Sequence, residues 1–128
     1  MKVKIDQLMT HTDRRGLVFE PIEKNCITTQ RNCHVVISQP GVIRGNHYHV
    51  KGTETIAVAG PAKLRFKEGQ DIIDVEVPAE QVYKFIIPPG VAHAIKNTSE
   101  KAGILVAFNS HAHDPGNPDC ISDVLIAE

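Results

Sequence analysis

No run of apolar residues in this 128-residue chain approaches the ~20 needed to cross a membrane as a helix. The opening, MKVKIDQLMTHTD, has no continuous apolar stretch of the kind a secretory leader requires, so a soluble, cytoplasmic protein is expected. An excess of one charge is missing too: 15 acidic and 14 basic side chains nearly cancel, and no block of like charge occurs. That excludes the basic stripe of a nucleic-acid binder and the acidic tail of an interaction module, leaving a small ligand as the expected partner. Cysteine is scarce. Cys26, Cys33 and Cys120 are odd in number and lack C-x-x-C spacing, so they suit neither a secreted disulfide framework nor a cysteine-rich zinc site, and reduced thiols are expected. Long helical periodicity, internal repeats and low-complexity tracts are absent, and the length suits one domain over residues 1–128.

What is present is a period of two. Residues 17–20, 35–37, 55–58, 63–67, 72–77, 84–87 and 103–108 alternate or cluster apolar residues as short strands do. Turn formers separate them at Gln39-Pro40-Gly41, Ala59-Gly60-Pro61, Lys67-Glu68-Gly69, Pro88-Pro89-Gly90 and Asn97-Thr98-Ser99. Many short strands with such breaks predict an all-β fold, a small antiparallel β-barrel or sandwich. Residues 110–122, rich in proline and turn formers, read as an ordered crossing loop, and Asp123-Val124-Leu125-Ile126 reads as an added edge strand.

Chemistry concentrates in Arg44-Gly45-Asn46-His47-Tyr48-His49-Val50-Lys51-Gly52-Thr53-Glu54. On a strand, residues two apart share a face, so His47 and His49 aim side by side and Tyr48 points away, toward a second sheet or a partner subunit. Two imidazoles can bite a divalent cation if other ligands join them, and Glu54 and His93 are the candidates. Zinc comes first for such a set, with iron, manganese, nickel or copper also suited. The alternative is a polar, solvated strand face. His111-Ala112-His113 repeats the spacing in a proline-flanked loop and reads as solvated, while His11 and His34 are assigned no role.

Two blocks give a resemblance that spans nearly the whole chain. Gly41-VIRGN-His47-Tyr48-His49-VKGT-Glu54 and Pro88-Pro89-Gly90-Val91-Ala92-His93-Ala94-Ile95-Lys96-Asn97 resemble the two motifs of the cupin superfamily, in the right order. The resemblance implies a jelly-roll-like barrel (a double-stranded β-helix) with His47, His49, Glu54 and His93 at the family's metal positions. Counted back from Gly60 the glutamate slot falls on Thr53, whereas strand parity puts Glu54 on the face of Ile56 and Val58, so the two compete for it. Thr12-Asp13-Arg14-Arg15-Gly16-Leu17-Val18-Phe19-Glu20 and Ile43-Arg44-Gly45-Asn46-His47 resemble blocks of the cupin sugar-nucleotide epimerases and 3,4-ketoisomerases. Arg44-Gly45-Asn46-His47-Tyr48-His49, the block from Pro88 to His93 and Asp114-Pro115-Gly116-Asn117-Pro118-Asp119 also resemble the C-terminal cupin domain of capsular-polysaccharide UDP-sugar reductase/epimerases.

That resemblance implies an isomerase or epimerase acting on a nucleotide-linked keto-sugar in surface-polysaccharide biosynthesis, and a homodimer. Such chemistry needs a base beside the carbonyl, a stabiliser for the enolate oxygen and an acid to return a proton. His47, His49 and His93 are the candidates, with Tyr83 as a possible proton donor and the metal or the imidazoles polarising the oxygen. Arg44 and Arg15 offer planar forks for the pyrophosphate, the alternative being rim arginines paired with carboxylates. Three other readings stay open: a non-catalytic sugar- or metal-binding module, a metal-dependent oxygenase or isomerase of another small molecule, and a vestigial barrel with no metal.

Overall fold

The computed structural model describes residues 2–128 and is built from two facing five-stranded antiparallel sheets. The chain opens with β1 (Lys4–Gln7), a hairpin of β2 (His11–Asp13) and β3 (Gly16–Val18), and one helical turn, α1 (Lys24–Ile27). Then follow β4 (Asn32–Ser38), β5 (Ile43–His49), β6 (Glu54–Ala59), β7 (Ala62–Glu68) and β8 (Asp71–Val77). The last four are β9 (Val82–Ile87), β10 (Ala92–Asn97), β11 (Gly103–Asn109) and β12 (Cys120–Ser122). One sheet has the order β1-β9-β6-β11-β4 and the other β12-β5-β10-β7-β8, while β2 and β3 pair only with each other. The expected all-β barrel is therefore present.

Alternation decides which side chains meet between the sheets. Ile56 and Val58 of β6 pair with Phe85 and Tyr83 of β9 and with Ala107 and Leu105 of β11, making one inner face. Leu64 and Phe66 of β7, Ile95 of β10 and Val77 of β8 close over it. Phe66, Phe85, Ile56, Leu64 and Ile87 are fully buried, each contributing about 1.5–3 kcal/mol from apolar area removed from water. Ile87 pairs with Glu54 and Phe66 with His93, so the apolar core runs directly up to the polar cluster.

Several elements differ from the sequence expectation, among them β2, α1 and β10, which it did not include, and β3, which ends at Val18 instead of residue 20. β1 offers only Ile5 as an apolar residue and becomes a strand by pairing with β9, with the Glu68 carboxylate accepting the Lys2 and Val3 amides at 2.9 and 3.0 Å. The crossing loop over 110–122 contains a short strand after all, since Cys120–Ser122 pairs with His49–His47 of β5. Asp123–Ile126 is not the expected edge strand. The Leu125 and Ile126 amides donate to the side-chain oxygen of Asn46 at 2.9 and 3.1 Å instead of joining a ladder.

Candidate functional site

Pairing of β5 with β10 sets His47 opposite His93, the alternation of β5 adds His49 on the same face, and β6 opens with Glu54 beside them. The ring centroids of His47 lie 5.1 Å from His49 and 4.9 Å from His93, and one ligand atom from each of the four residues lies within 4.8 Å of the others. Among the described residues this is the one group of its kind, and neither His111 nor His113 belongs to it. It is Glu54 that joins the histidines, its carboxylate 2.6 Å from His49 Nε2, while Thr53 sits in the loop before β6 with its amide donating to Ser110 Oγ at 2.9 Å. That loop is held by Asp119, whose carboxylate accepts the Lys51 and Gly52 amides at 3.0 and 2.8 Å.

His93 is 1% exposed, and its Nδ1 lies 3.2 Å from the Val91 carbonyl. A carbonyl only accepts, so Nδ1 carries the proton and Nε2 presents a lone pair to the cluster. That Nε2 has no hydrogen-bond partner, and Glu54 Oε1 stands 3.6 Å away. A buried nitrogen without a partner is costly unless something fills the place, and three imidazoles with one carboxylate are the donor set that binds a first-row divalent cation. His47, His49, Glu54 and His93 would together hold such an ion.

Electrostatics divide the histidines. His47 is brought down to about 4, first by burial and then by the neighbouring rings of His93 and His49. Burial also opposes charge on His49, but its 2.6 Å bond to Glu54 and the negative charges of Glu54 and Asp119 prevail and raise its pKa. Burial works against the Glu54 carboxylate as well, yet the hydrogen bond from His49 and the adjacent imidazoles hold it well below the usual carboxylate range. The unfolded chain protonates His47 near pH ~6.5 while the folded chain resists until about 4, so the metal-free protein loses stability as pH falls through that interval. Glu54 acts in the same direction, its contribution being present above ~4.3 and lost below it. His49 runs oppositely: its contribution is complete below ~6.5 and is lost as pH rises through the raised value. Thermal melts of metal-free protein should therefore fall off from pH ~6.5 toward 4, and His47→Asn should flatten that part of the profile.

Arg44 stands three residues before His47, an odd spacing that would put it on the opposite face of an unbroken strand. The structure shows a bulge instead. His93 pairs with His47, but Ala94 pairs with Gly45 and Ile95 with Arg44, leaving Asn46 as the extra residue. One inserted residue flips everything before it, so Arg44 shares the inner face with His47. Gly45 and Asn46 take φ of +86° and +57°, and a Cβ on Gly45 would stand 2.7 Å from the His93 carbonyl oxygen. Gly45→Ala is accordingly expected to cost about 2–3 kcal/mol in a denaturant titration, through strain and displacement of His93.

A cavity of about 110 Å³ joins Arg44 to His47, His49, Glu54 and His93. A second space of about 350 Å³, lined by Asn109, His111, His113 and Pro118, meets it at His34, His49 and Glu54. His34 is the residue the sequence reading missed. On β4 it pairs with Ala107 and therefore faces inward, across the groove from the cluster. Its strand parity with the apolar Val36 was the available clue. Arg15 is elsewhere: on the β2–β3 hairpin, 79% exposed, it pairs with Asp13 at 2.6 Å. Tyr83 is on the inner face but pairs with Val58, four residues along β6 from Glu54, which is about 13 Å of strand, and it packs near Phe85. Tyr48 pairs with Ile121 and lines neither space.

The two facing antiparallel sheets with the His/Glu cluster between them give this chain the cupin fold. The chain belongs to the polysaccharide biosynthesis C-terminal domain family, whose model matches residues 11–121. It is 26% identical over 127 residues to the spore coat polysaccharide biosynthesis protein SpsL of Bacillus subtilis (strain 168), covering 91% of this chain and 84% of SpsL. The capsular polysaccharide assembling protein CapF of Staphylococcus aureus superposes with a TM-score of 0.68 at 27% identity over 92% of this chain, which spans only 33% of CapF. The sugar 3,4-ketoisomerase QdtA of Thermoanaerobacterium thermosaccharolyticum, solved in complex with TDP, shares the fold with a TM-score of 0.70 at 21% identity, covering 94% of this chain and 88% of QdtA.

Proposed function

We propose that this protein isomerises or epimerises a nucleotide-linked keto-sugar in surface-polysaccharide biosynthesis, with a divalent ion held by His47, His49, Glu54 and His93. The observation that carries the reading is the joining of Arg44 to the His/Glu cluster in one cavity. A guanidinium fork matches a diphosphate, and the cluster lies where the sugar carbonyl would then sit. Zinc is the first candidate for the ion, with iron, manganese or nickel as alternatives; when bound, it polarises the carbonyl oxygen. Arg44 orients the diphosphate, the apolar wall of Val36, Ile95, Leu105 and Ala107 excludes water, and His34 faces the sugar as the group that moves the proton. QdtA, a sugar 3,4-ketoisomerase bound to TDP, and the polysaccharide roles of SpsL and CapF support this reading.

The test is to incubate metal-restored protein with UDP- and dTDP-4-keto sugars in deuterated water and follow deuterium at the carbons beside the carbonyl. Incorporation in at least one sugar is expected, and its absence from all of them sinks the reading. One observation favours a second route on the same substrate. His49 and Glu54, 2.6 Å apart, form a histidine–carboxylate dyad that can act as base without an ion. Full exchange after chelation would select that route.

The protein is further proposed to work as a cytoplasmic homodimer. Val35, Ile37 and Ile104 form a contiguous apolar patch on the outer face of β4 and β11, 58%, 63% and 41% exposed. Sedimentation should give twice the 14.1 kDa of one chain, and a Val35→Glu/Ile37→Glu variant should sediment as a monomer. A monomeric wild type would refute the dimer.

A further inference from the structure

We propose that Asn46 is a positioning residue: by clasping the tail segment Asp123–Ile126 it locks the β5 bulge that turns Arg44 toward the cavity and sets His47 against His93. The hydrogen bonds are specific. Asn46 Oδ1 accepts the Leu125 and Ile126 amides at 2.9 and 3.1 Å, and Nδ2 donates to the Ile126 carbonyl at 2.9 Å. The Asn46 carbonyl accepts the Asp123 amide at 2.8 Å. Its side-chain oxygen uses both lone pairs on the tail, and none of its hydrogen bonds reaches the cavity. Arg65 and Lys67 hold the tail from the other side, through the Leu125 carbonyl at 3.3 Å and the Asp123 carboxylate at 3.5 Å.

The competing arrangement shows what the clasp is for. If β5 continued the His47–His93 register without an extra residue, Ile95 would face Gly45 and Arg44 would pair with Lys96 on the outer surface. In the observed register Arg44 pairs with Ile95, a core residue, and Lys96 pairs with Ile43. Since one residue of slip exchanges the two faces, the difference between these registers is the difference between an arginine in the cavity and one outside it. Asparagine tolerates the left-handed φ that the bulge needs. The tail contacts fall on the residue that the bulge inserts.

The test uses the full chain in two variants. Asn46→Gly keeps the backbone freedom and drops the clasp, and Leu125→Pro removes one of the tail's donors without altering β5. Hydrogen exchange at Ile126 should quicken in both variants, and at Leu125 in Asn46→Gly. In metal-free protein the nuclear Overhauser contact between the rings of His47 and His93 should then weaken, while far-ultraviolet dichroism is retained. UDP is the ligand probe: its Kd should rise about tenfold in Asn46→Gly, as in Arg44→Ala, and no further in the double variant. Asn46→Asp, which retains the acceptor oxygens, should recover most of the loss. A freed tail with the His47–His93 contact intact would overturn the proposal, as would unchanged exchange at Ile126 in Asn46→Gly or additive losses in the double variant. The UDP arm rests on the nucleotide-sugar reading: if wild type fails to bind UDP, that reading falls and the ring contact alone decides the clasp.

Discussion

Replacing His93 with alanine is expected to lower metal affinity by on the order of a hundredfold to a thousandfold and to leave purified protein nearly free of metal. Zinc bound by four protein ligands is held by roughly 10–16 kcal/mol, so losing one ligand removes about 3–4 kcal/mol, which is that factor in affinity. The prediction rests on His93 because the fold has already oriented it. Its Nδ1 proton faces the Val91 carbonyl, and its Nε2 is buried without a partner. The substitution also leaves a space beside Phe66, the residue paired with His93 across β7 and β10, so the bare fold weakens as well. The informative quantity is therefore the gain in melting temperature on adding zinc. It should be large in wild type and nearly vanish in the variant. Unchanged metal content after gel filtration would remove His93 from the cage, whatever happened to stability.

The parts of this architecture legible in the sequence are those where alternation and burial coincide. Residues 63–67, 72–77, 84–87 and 103–108 all lie within observed strands, because an inner face of Leu64, Phe66, Phe85 and Leu105 must be apolar to close the barrel. The cluster was legible for a related reason: H-x-H on a strand fixes two imidazoles on one face, and only their partner across the sheet had to be found. What escaped was set by contacts distant in sequence. β1 is a strand because β9 offers it an edge, and β12 because β5 does. Asp123–Ile126 has strand-like composition, yet Asn46 takes its amides. Arg44 reached the cavity through a bulge that simple parity cannot foresee, since nothing in a two-residue period announces an extra residue. His34 was passed over because its company lies on β5, β6 and β10, none of it adjacent in the chain. Tyr83 has the right parity at the wrong height along its strand, and Arg15 a neighbouring carboxylate that satisfies it locally.

His34→Gln should lower turnover by about 10²–10⁴, the usual worth of a positioned acid–base group, while the KM for the nucleotide sugar and the Kd for UDP change little. If the four-ligand cage is filled, each of its members has committed a lone pair to the ion. The inward side chain left to carry a proton is then His34, which lines both the inner cavity and the outer space. Such a group takes the proton from the carbon beside the carbonyl; the C–H electron pair becomes the double bond of the enolate and the carbonyl pair passes to oxygen. In isomerisation the hydroxyl on the deprotonated carbon then gives its proton to the former carbonyl oxygen as the new carbonyl forms, and the former carbonyl carbon takes up the proton that the base removed; in epimerisation a second donor returns a proton to the same carbon on its opposite face. Glutamine keeps size and polarity but cannot shuttle a proton, so both product formation and deuterium exchange should collapse together. If exchange persisted while product formation was lost, the base would lie among His47, His49 and His93, with His34 returning the proton. That outcome would favour the His49–Glu54 dyad over the metal-assisted route, and full activity in His34→Gln would exclude His34 from the chemistry altogether.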